Sequence, residues 1–193
     1  MRTVRSVTPV EIGPYRFAYF LVASDNYDNE VRLELERQVS AFAEDMGGLG
    51  LLIQAFPSAR RDIAEEVFAK TWPAEIQRQL EREAEPIILV IESDFDEFDP
   101  REHRWAIIWL SDFEGTSRNV QPMLKTLSSK TRRGEDVIAY LNDVADREER
   151  HERRGRIVRF AARAGSYVEW KPKIPVIGLG IDVKAVLRDV AAG

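Results

Sequence analysis

An acidic segment between two apolar runs holds the most concentrated set of residues in this chain that could do chemistry. Asp94, Asp96 and Asp99 follow the first apolar run, and His103 lies just before the second. Hard cations such as magnesium take oxygen ligands from convergent carboxylates, and a histidine beside them can act as a base or a further ligand. Open α/β sheets place ligands at strand ends. The segment therefore predicts a divalent-metal site for phosphoryl transfer or hydrolysis.

The same segment also has a structural interpretation. A polar connection between two hydrophobic strands would be acidic for solubility, with Phe95 and Phe98 packed against the core. The spacing of the carboxylates does not match a calcium-binding loop, because no glycine follows the acidic positions and no glutamate closes the loop at the right place. Short motifs of this kind often occur by chance, so we prefer the structural interpretation.

A basic stripe in the last third of the chain is the second candidate. No acidic residue occurs between positions 153 and 163, and the apolar spacing there predicts a helix. Arginines along one helix could bind phosphates or an acidic partner, although the commoner role of such a stripe is a solvated helix face. The candidate phosphate- or partner-binding residues are Arg153, Arg154, Arg156, Arg159 and Arg163.

Two shorter motifs carry less information. Glu169-Trp170-Lys171 has the Glu-x-Lys pattern of metal-dependent nucleases, but the strand aspartate expected upstream is missing. Gly178-Leu179-Gly180 could admit a phosphate at a helix start, yet Val183 stands where a dinucleotide fingerprint needs its third glycine. We interpret the glycines as a strand-to-helix turn with Asp182 as N-cap.

Composition excludes several classes of protein. The chain has 193 residues, of which 44% are hydrophobic and 32% charged, so it can bury a core and is not disordered throughout. A net charge of -5 opposes a general nucleic-acid binder. With no cysteine there are no disulfides, thiolate metal sites or thiol nucleophiles. The sequence shows neither an apolar run of about 18 residues nor the apolar stretch of a signal peptide. We expect a cytoplasmic protein that does not enter a membrane.

Apolar runs alternate with helical patterns along the first half of the chain. Runs at 17–23, 49–56, 87–91 and 105–110 predict strands, and the segments between the first three predict helices. This alternation, with strands that are apolar throughout, predicts an α/β three-layer sandwich whose central sheet is mostly parallel. Two arrangements fit: a doubly wound open sheet and a thioredoxin-like sheet.

The second arrangement depends on element order. Over about half of the chain this order is similar to that of thioredoxin-like proteins, in which a proline leads into an antiparallel strand pair followed by a helix. Pro86 occupies the place of that proline. Where such proteins carry a redox pair, this chain reads Ser24-Asp25-Asn26-Tyr27. Because the chain has no cysteine, the resemblance does not imply the redox activity.

We divide the chain into an α/β core domain at 1–115, a helical and highly charged region at 116–165, and a strand/helix tail at 166–193 that packs on the core. We expect a non-catalytic protein-interaction or regulatory domain within a larger assembly, with another protein or a second copy of the chain as its partner. The sequence identifies no cofactor. The alternatives are a metal-dependent enzyme that uses residues 92–99 and a nucleotide- or nucleic-acid-contacting module that uses residues 153–163.

Overall fold

A computed structural model describes residues 1–22, 30–82, 86–110, 120–149, 158–163 and 180–181. Its central feature is a mixed β-sheet, in which five strands lie in the order β1-β3-β2-β4-β5 and two more extend the sheet beyond β5. The strands are β1 (Arg2–Val4), β2 (Phe17–Val22), β3 (Gly50–Ala55), β4 (Ile87–Ile91), β5 (Trp105–Trp109), β6 (Val158–Arg163) and β7 (Gly180–Ile181).

The prediction of a mostly parallel sheet is wrong. Only β1 with β3 and β2 with β3 pair in parallel, whereas β2–β4, β4–β5, β5–β6 and β6–β7 are antiparallel. The doubly wound arrangement is therefore excluded. An antiparallel pair does follow Pro86, but element order by itself does not assign a fold family.

The error has a physical cause. Strands β4 and β5 are apolar throughout because both faces of the sheet are covered, and all ten of their residues are buried. Continuous apolar composition therefore reports burial on two sides and not strand direction. Direction is set by the connections, and β4 is joined to β5 by a loop that contains no crossover helix.

Helices cover both faces of the sheet. The helices are α1 (Glu30–Asp45), α2 (Arg60–Phe68), α3 (Ala74–Arg82), α4 (Val120–Arg132) and α5 (Val137–Glu149). Side chains of α1, α4 and α5 share one apolar core with one face of the sheet. On the opposite face, α2 and α3 share a second core with the β1–β2 connection and the β4–β5 loop. None of the helices in the described part of the chain has the length and apolar composition needed to cross a bilayer.

Helices α4 and α5 belong to the first core. Val120, Leu124 and Leu127 of α4 and Ile138 and Leu141 of α5 are buried against the same sheet face as α1. The stretch 137–144 therefore packs on the sheet. The division of the chain at residues 115 and 165 stays a prediction, because 111–119 and 164–179 lie outside the described residues.

A strand occupies the segment where the basic stripe was predicted to be helical. Residues Val158–Arg163 form β6, which pairs antiparallel with β5 through the registers Ile108↔Phe160 and Trp105↔Arg163. Arg159 lies between the apolar Val158 and Phe160, and this period of two is typical of a strand. The helical prediction for this segment is wrong because it followed apolar spacing without considering that β5 offers an edge for pairing.

Candidate functional site

The carboxylates of the acidic loop are engaged by backbone amides. The amide of Ile12 donates to Oδ1 of Asp94 at 2.6 Å, and the amide of Arg101 donates to Oδ1 of Asp99 at 2.8 Å. Asp96 is exposed. Asp94 therefore ties the loop to the β1–β2 connection, and Asp99 closes a local turn of the loop itself.

His103 completes the same turn. The amide of Asp99 donates to Nδ1 of His103 at 3.0 Å, and the amide of His103 donates to the carbonyl oxygen of Asp99 at 2.9 Å. The imidazole lies beside the ring of Phe98, with centroids 6.2 Å apart. Since Nδ1 acts as an acceptor within the loop, this ring nitrogen has a structural partner.

Aromatic side chains anchor the loop in the second core. Phe95 and Phe98 are 1% and 2% exposed, and Trp72 lies between Phe98 and Trp105 with ring centroids at 5.8 and 5.1 Å. Lys70 caps this arrangement by donating from Nζ to the carbonyl oxygen of Phe95 at 2.7 Å. The loop is therefore a packed part of the fold, as the structural interpretation expects.

The four predicted metal ligands do not form a cluster. Within the described residues, no group of three or more histidine, aspartate or glutamate side chains lies close enough to hold a metal ion. Asp94 and Asp99 bind different amides, and Asp96 is exposed. The metal site at Asp94, Asp96, Asp99 and His103 stays a prediction that this geometry does not support.

A cluster of charged side chains centres on Arg104, which is not among the site residues predicted from the sequence. Its Nη2 donates to both carboxylate oxygens of Asp136 at 2.6 Å, and its Nη1 donates to Oε2 of Glu92 at 3.0 Å. Nε of Arg16 lies 4.0 Å from the other oxygen of Glu92. About a quarter of the Arg104 and Glu92 side chains and a third of that of Asp136 are exposed.

The strand register brings Glu92 and Arg104 together. Ile91 pairs with Trp105, so the next residue beyond β4 and the residue before β5 lie side by side at one edge of the sheet. Asp136 directly precedes α5, and its carboxylate caps that helix by accepting a hydrogen bond from the amide of Ala139 at 2.8 Å. The guanidinium of Arg104 therefore ties the first turn of α5 to the ends of β4 and β5.

The pKa values of Glu92 and Asp136 are shifted in opposite directions. Burial raises the pKa of Glu92, and this effect outweighs the lowering by the Arg104 and Arg16 guanidinium groups. Burial would also raise the pKa of Asp136, but hydrogen bonds from Arg104 and from the amide of Ala139 lower it overall. Asp136 is thus the carboxylate whose charge the cluster stabilises.

The chemistry of this cluster is that of a structural ion pair. Nη2 of Arg104 contacts both carboxylate oxygens of Asp136 and Nη1 contacts Glu92, so both terminal nitrogens of the guanidinium are engaged. The signal for half of the cluster was present in the sequence, since a glutamate directly after one predicted strand and an arginine directly before the next become neighbours in an antiparallel pair. The contribution of Asp136 depends on how α5 packs, which no local pattern gives.

The predicted basic stripe is only partly described. Arg159 and Arg163 lie on β6, and Arg163 pairs in register with Trp105 at the sheet edge that also carries Arg104. The other candidates, Arg153, Arg154 and Arg156, lie outside the described residues, as do Glu169-Trp170-Lys171 and the Ser24–Tyr27 segment. The phosphate- or partner-binding role of this stripe stays a prediction.

Comparison of the chain with protein-family models, with curated proteins and with solved structures finds no match.

Proposed function

We propose that the chain is a non-catalytic α/β domain that acts through contacts with another protein, or with a second copy of itself, within a larger assembly. The observation that supports this most directly is that loop side chains predicted to do chemistry accept hydrogen bonds from backbone amides. Asp94 and Asp99 accept backbone amides, and Nδ1 of His103 accepts another. Groups engaged in this way stabilise the loop, because leaving the partly buried amides of Ile12 and Asp99 without their acceptors would cost free energy.

An exposed aromatic residue offers a contact surface. Phe56 directly follows β3 and is 43% exposed, and the guanidinium carbon of Arg5 lies 5.9 Å from the centroid of its ring. Arg2 and Pro57 nearby are also exposed. Aromatic and arginine side chains are enriched at protein interfaces and often dominate their binding energy. We call Arg5, Phe56 and Pro57 the Phe56 patch, and its arginine favours a partner with acidic and apolar groups.

The assembly state of the purified full chain tests this proposal. We expect native mass spectrometry, over a range of protein concentrations and with candidate partner proteins, to show an oligomer or a stable complex. Phe56→Glu should weaken that assembly at least tenfold, whereas Gln121→Glu adds the same charge on α4 and should leave it unchanged. A chain that stays monomeric and forms no complex under any of these conditions would contradict the proposal.

The metal-dependent enzyme and the nucleic-acid module remain alternatives that the described residues do not favour. For the enzyme, the loop carboxylates would have to exchange their amide partners for a cation. For the module, binding to oligonucleotides would have to weaken steeply with salt, because counterions are released when arginines contact phosphates.

A further inference from the structure

A single carboxylate oxygen holds the β1–β2 connection, residues 5–16, on helix α2. Oε2 of Glu66 accepts hydrogen bonds from the amide and hydroxyl of Thr8 at 3.0 and 3.1 Å, from the amide of Val7 at 2.8 Å and from the hydroxyl of Ser6 at 2.9 Å. These contacts accompany the burial of Val7, which is 0% exposed. Glu66 therefore fixes three consecutive residues and keeps an apolar side chain in the second core.

Thr8 is the accessible member of this contact. It is exposed, as are Arg5 and Pro9 on either side of it, while Ser6 is half-buried. Burial would raise the pKa of Glu66, but the hydrogen bonds from Ser6, Thr8 and Val7 lower it overall, so Glu66 is ionised at neutral pH. The exposed hydroxyl of Thr8 thus lies directly against a negative charge.

The residues around Thr8 are of the types that protein kinases read. Arg5 stands three positions before Thr8, and Pro9 follows it directly. Kinases select substrates partly through the charge pattern flanking the hydroxyl, and both neighbours here are exposed on the surface. The Thr8 hydroxyl is therefore exposed, has neighbours that kinases select, and contacts the carboxylate of Glu66.

We propose that Thr8 is a phosphorylation site and that its modification releases residues 5–9 of the β1–β2 connection from helix α2. A protein kinase would transfer the terminal phosphoryl group of a nucleoside triphosphate: a bond forms between Thr8 Oγ1 and phosphorus, the bond to the leaving nucleoside diphosphate breaks, and the hydroxyl proton passes to a base of the kinase. This inference is independent of the function proposed above.

Phosphorylation of Thr8 changes two interactions at Glu66: it adds electrostatic repulsion and removes a hydrogen bond. The phosphate brings a charge of about -1.5 to -2 at neutral pH next to an ionised carboxylate, so the two groups repel. The hydroxyl donor of Thr8 is also lost, which removes one of the four hydrogen bonds. The amide of Ile12 remains bound to Asp94, and the carbonyl oxygen of Val10 remains bound to the amide of Phe95. Opening is therefore confined to residues 5–9.

The experiment treats the full chain with ATP and magnesium and with two serine/threonine kinases, one that selects a following proline and one that selects an arginine three positions before. Mass spectrometry locates the phosphate, and hydrogen exchange measures protection of the backbone amides. We expect phosphate at Thr8 and exchange of the Val7 and Thr8 amides at least about tenfold faster, as loss of bonds to a charged group implies. Exchange of the Ile12 amide, which is bound to Asp94, should not change.

Matched variants separate charge from the loss of the hydroxyl. Thr8→Glu should speed exchange of the amides at positions 7 and 8 in the unmodified chain, Thr8→Val should do so less, and Thr71→Glu, at another exposed threonine, should have no effect there. Absence of phosphate at Thr8 with both kinases would overturn the proposal. So would a phosphorylated chain in which these two amides keep their original protection.

Discussion

Arg104 and Asp136 lie 32 residues apart in the chain and form two hydrogen bonds of 2.6 Å each. This contact joins the residue before β5 to the residue before α5, with Glu92 as a second acceptor for the same guanidinium. Because the contact joins residues that are distant in the chain, it constrains the packing of α5 on the sheet more than an ion pair between sequence neighbours would.

We expect Arg104→Met to destabilise the chain by about 1–3 kcal/mol, because it removes the guanidinium that contacts two half-buried carboxylates, and solvent screens only part of the loss. Urea unfolding measures the change. Arg133→Met removes a guanidinium whose side chain is 61% exposed and should cost less than about 0.5 kcal/mol. Equal effects of the two substitutions would show that the Arg104 contact adds nothing beyond a surface pair.

Glu66 should make stability depend on pH in the acidic range. Its folded-state pKa is lowered, so its contribution is fully present above the unfolded-state pKa of about 4.3 and is lost as the pH falls through the lower folded value. Glu66→Gln should lower Tm by about 2–4 °C at pH 7 and by much less at pH 3. Glu65→Gln, on the exposed side of the same helix, should change Tm little at either pH. A loss in Glu66→Gln that is the same at both pH values would contradict this assignment.

A buried polar pair links β2 to α4. The hydroxyl of Thr131 donates to the carbonyl oxygen of Leu127 at 2.8 Å, so the hydroxyl of Tyr19 donates to Thr131 Oγ1. Burial raises the pKa of Tyr19, which keeps its hydroxyl neutral and able to donate. Tyr19→Phe should cost about 1 kcal/mol, and Thr131→Val about 1–3 kcal/mol because it leaves the tyrosine hydroxyl unsatisfied.

The double variant tests the coupling of this pair. If the two hydroxyls depend on each other, Tyr19→Phe/Thr131→Val should be more stable than the sum of the single changes predicts, by about 0.5 kcal/mol or more in urea unfolding. Simple additivity would indicate that the hydroxyls contribute independently.

Gly50 marks a close approach of β3 to α1 and α4. A Cβ at this position would lie 2.7 Å from Sδ of Met46 and 2.8 Å from Cγ2 of Thr131. Gly50→Ala should therefore destabilise the chain by about 1–3 kcal/mol through overpacking. A Cβ at Gly48 would meet nothing within 4 Å, so Gly48→Ala should change stability by less than about 0.5 kcal/mol. Thermal unfolding of the two variants measures this difference, and similar losses of stability in both would contradict the packing argument.

Magnesium should leave the melting temperature unchanged, because the loop carboxylates are bound to separate backbone amides. A ligand that binds the folded state stabilises it by RT ln(1 + L/Kd), where L is the free ligand concentration, so a thermal melt at a magnesium concentration well above Kd shows a rise in Tm. A magnesium-dependent rise that disappears in Asp96→Asn would restore the metal-site prediction. Asp96 suits this purpose because its side chain is exposed and its substitution should not weaken the loop.

The strands with long apolar runs could be predicted from sequence. The run that follows Pro86 gives β4 with the same bounds in the structure, and Trp105–Trp109 differs from its prediction by one residue. Strand β1 could not be found in this way, since Arg2–Val4 has only three residues and one of them is strongly apolar. It becomes a strand because β3 offers an edge for pairing.

The direction of the strands and the completion of the Arg104 cluster depend on tertiary structure. Nothing in the apolar pattern of β2 shows that β4 pairs with it antiparallel, because a strand buried on both faces has the same composition in either direction. Glu92 and Arg104 are neighbours through strand register, whereas Asp136 reaches them only because α5 packs on the same edge. The spacing of the loop carboxylates led to a prediction of metal binding, and it did not show that Asp94 and Asp99 accept backbone amides.

The position of β2 within the sheet has a consequence for synthesis of the chain on the ribosome. β2 lies between β3 and β4, and both of these partners follow it in sequence. The chain is synthesised from its amino end, so β2 (Phe17–Val22) cannot pair along both edges until residues up to Ile91 have been made. During that interval β2 is an unpaired apolar strand and therefore prone to aggregate, and the centre of this sheet is completed only after β4 has been synthesised.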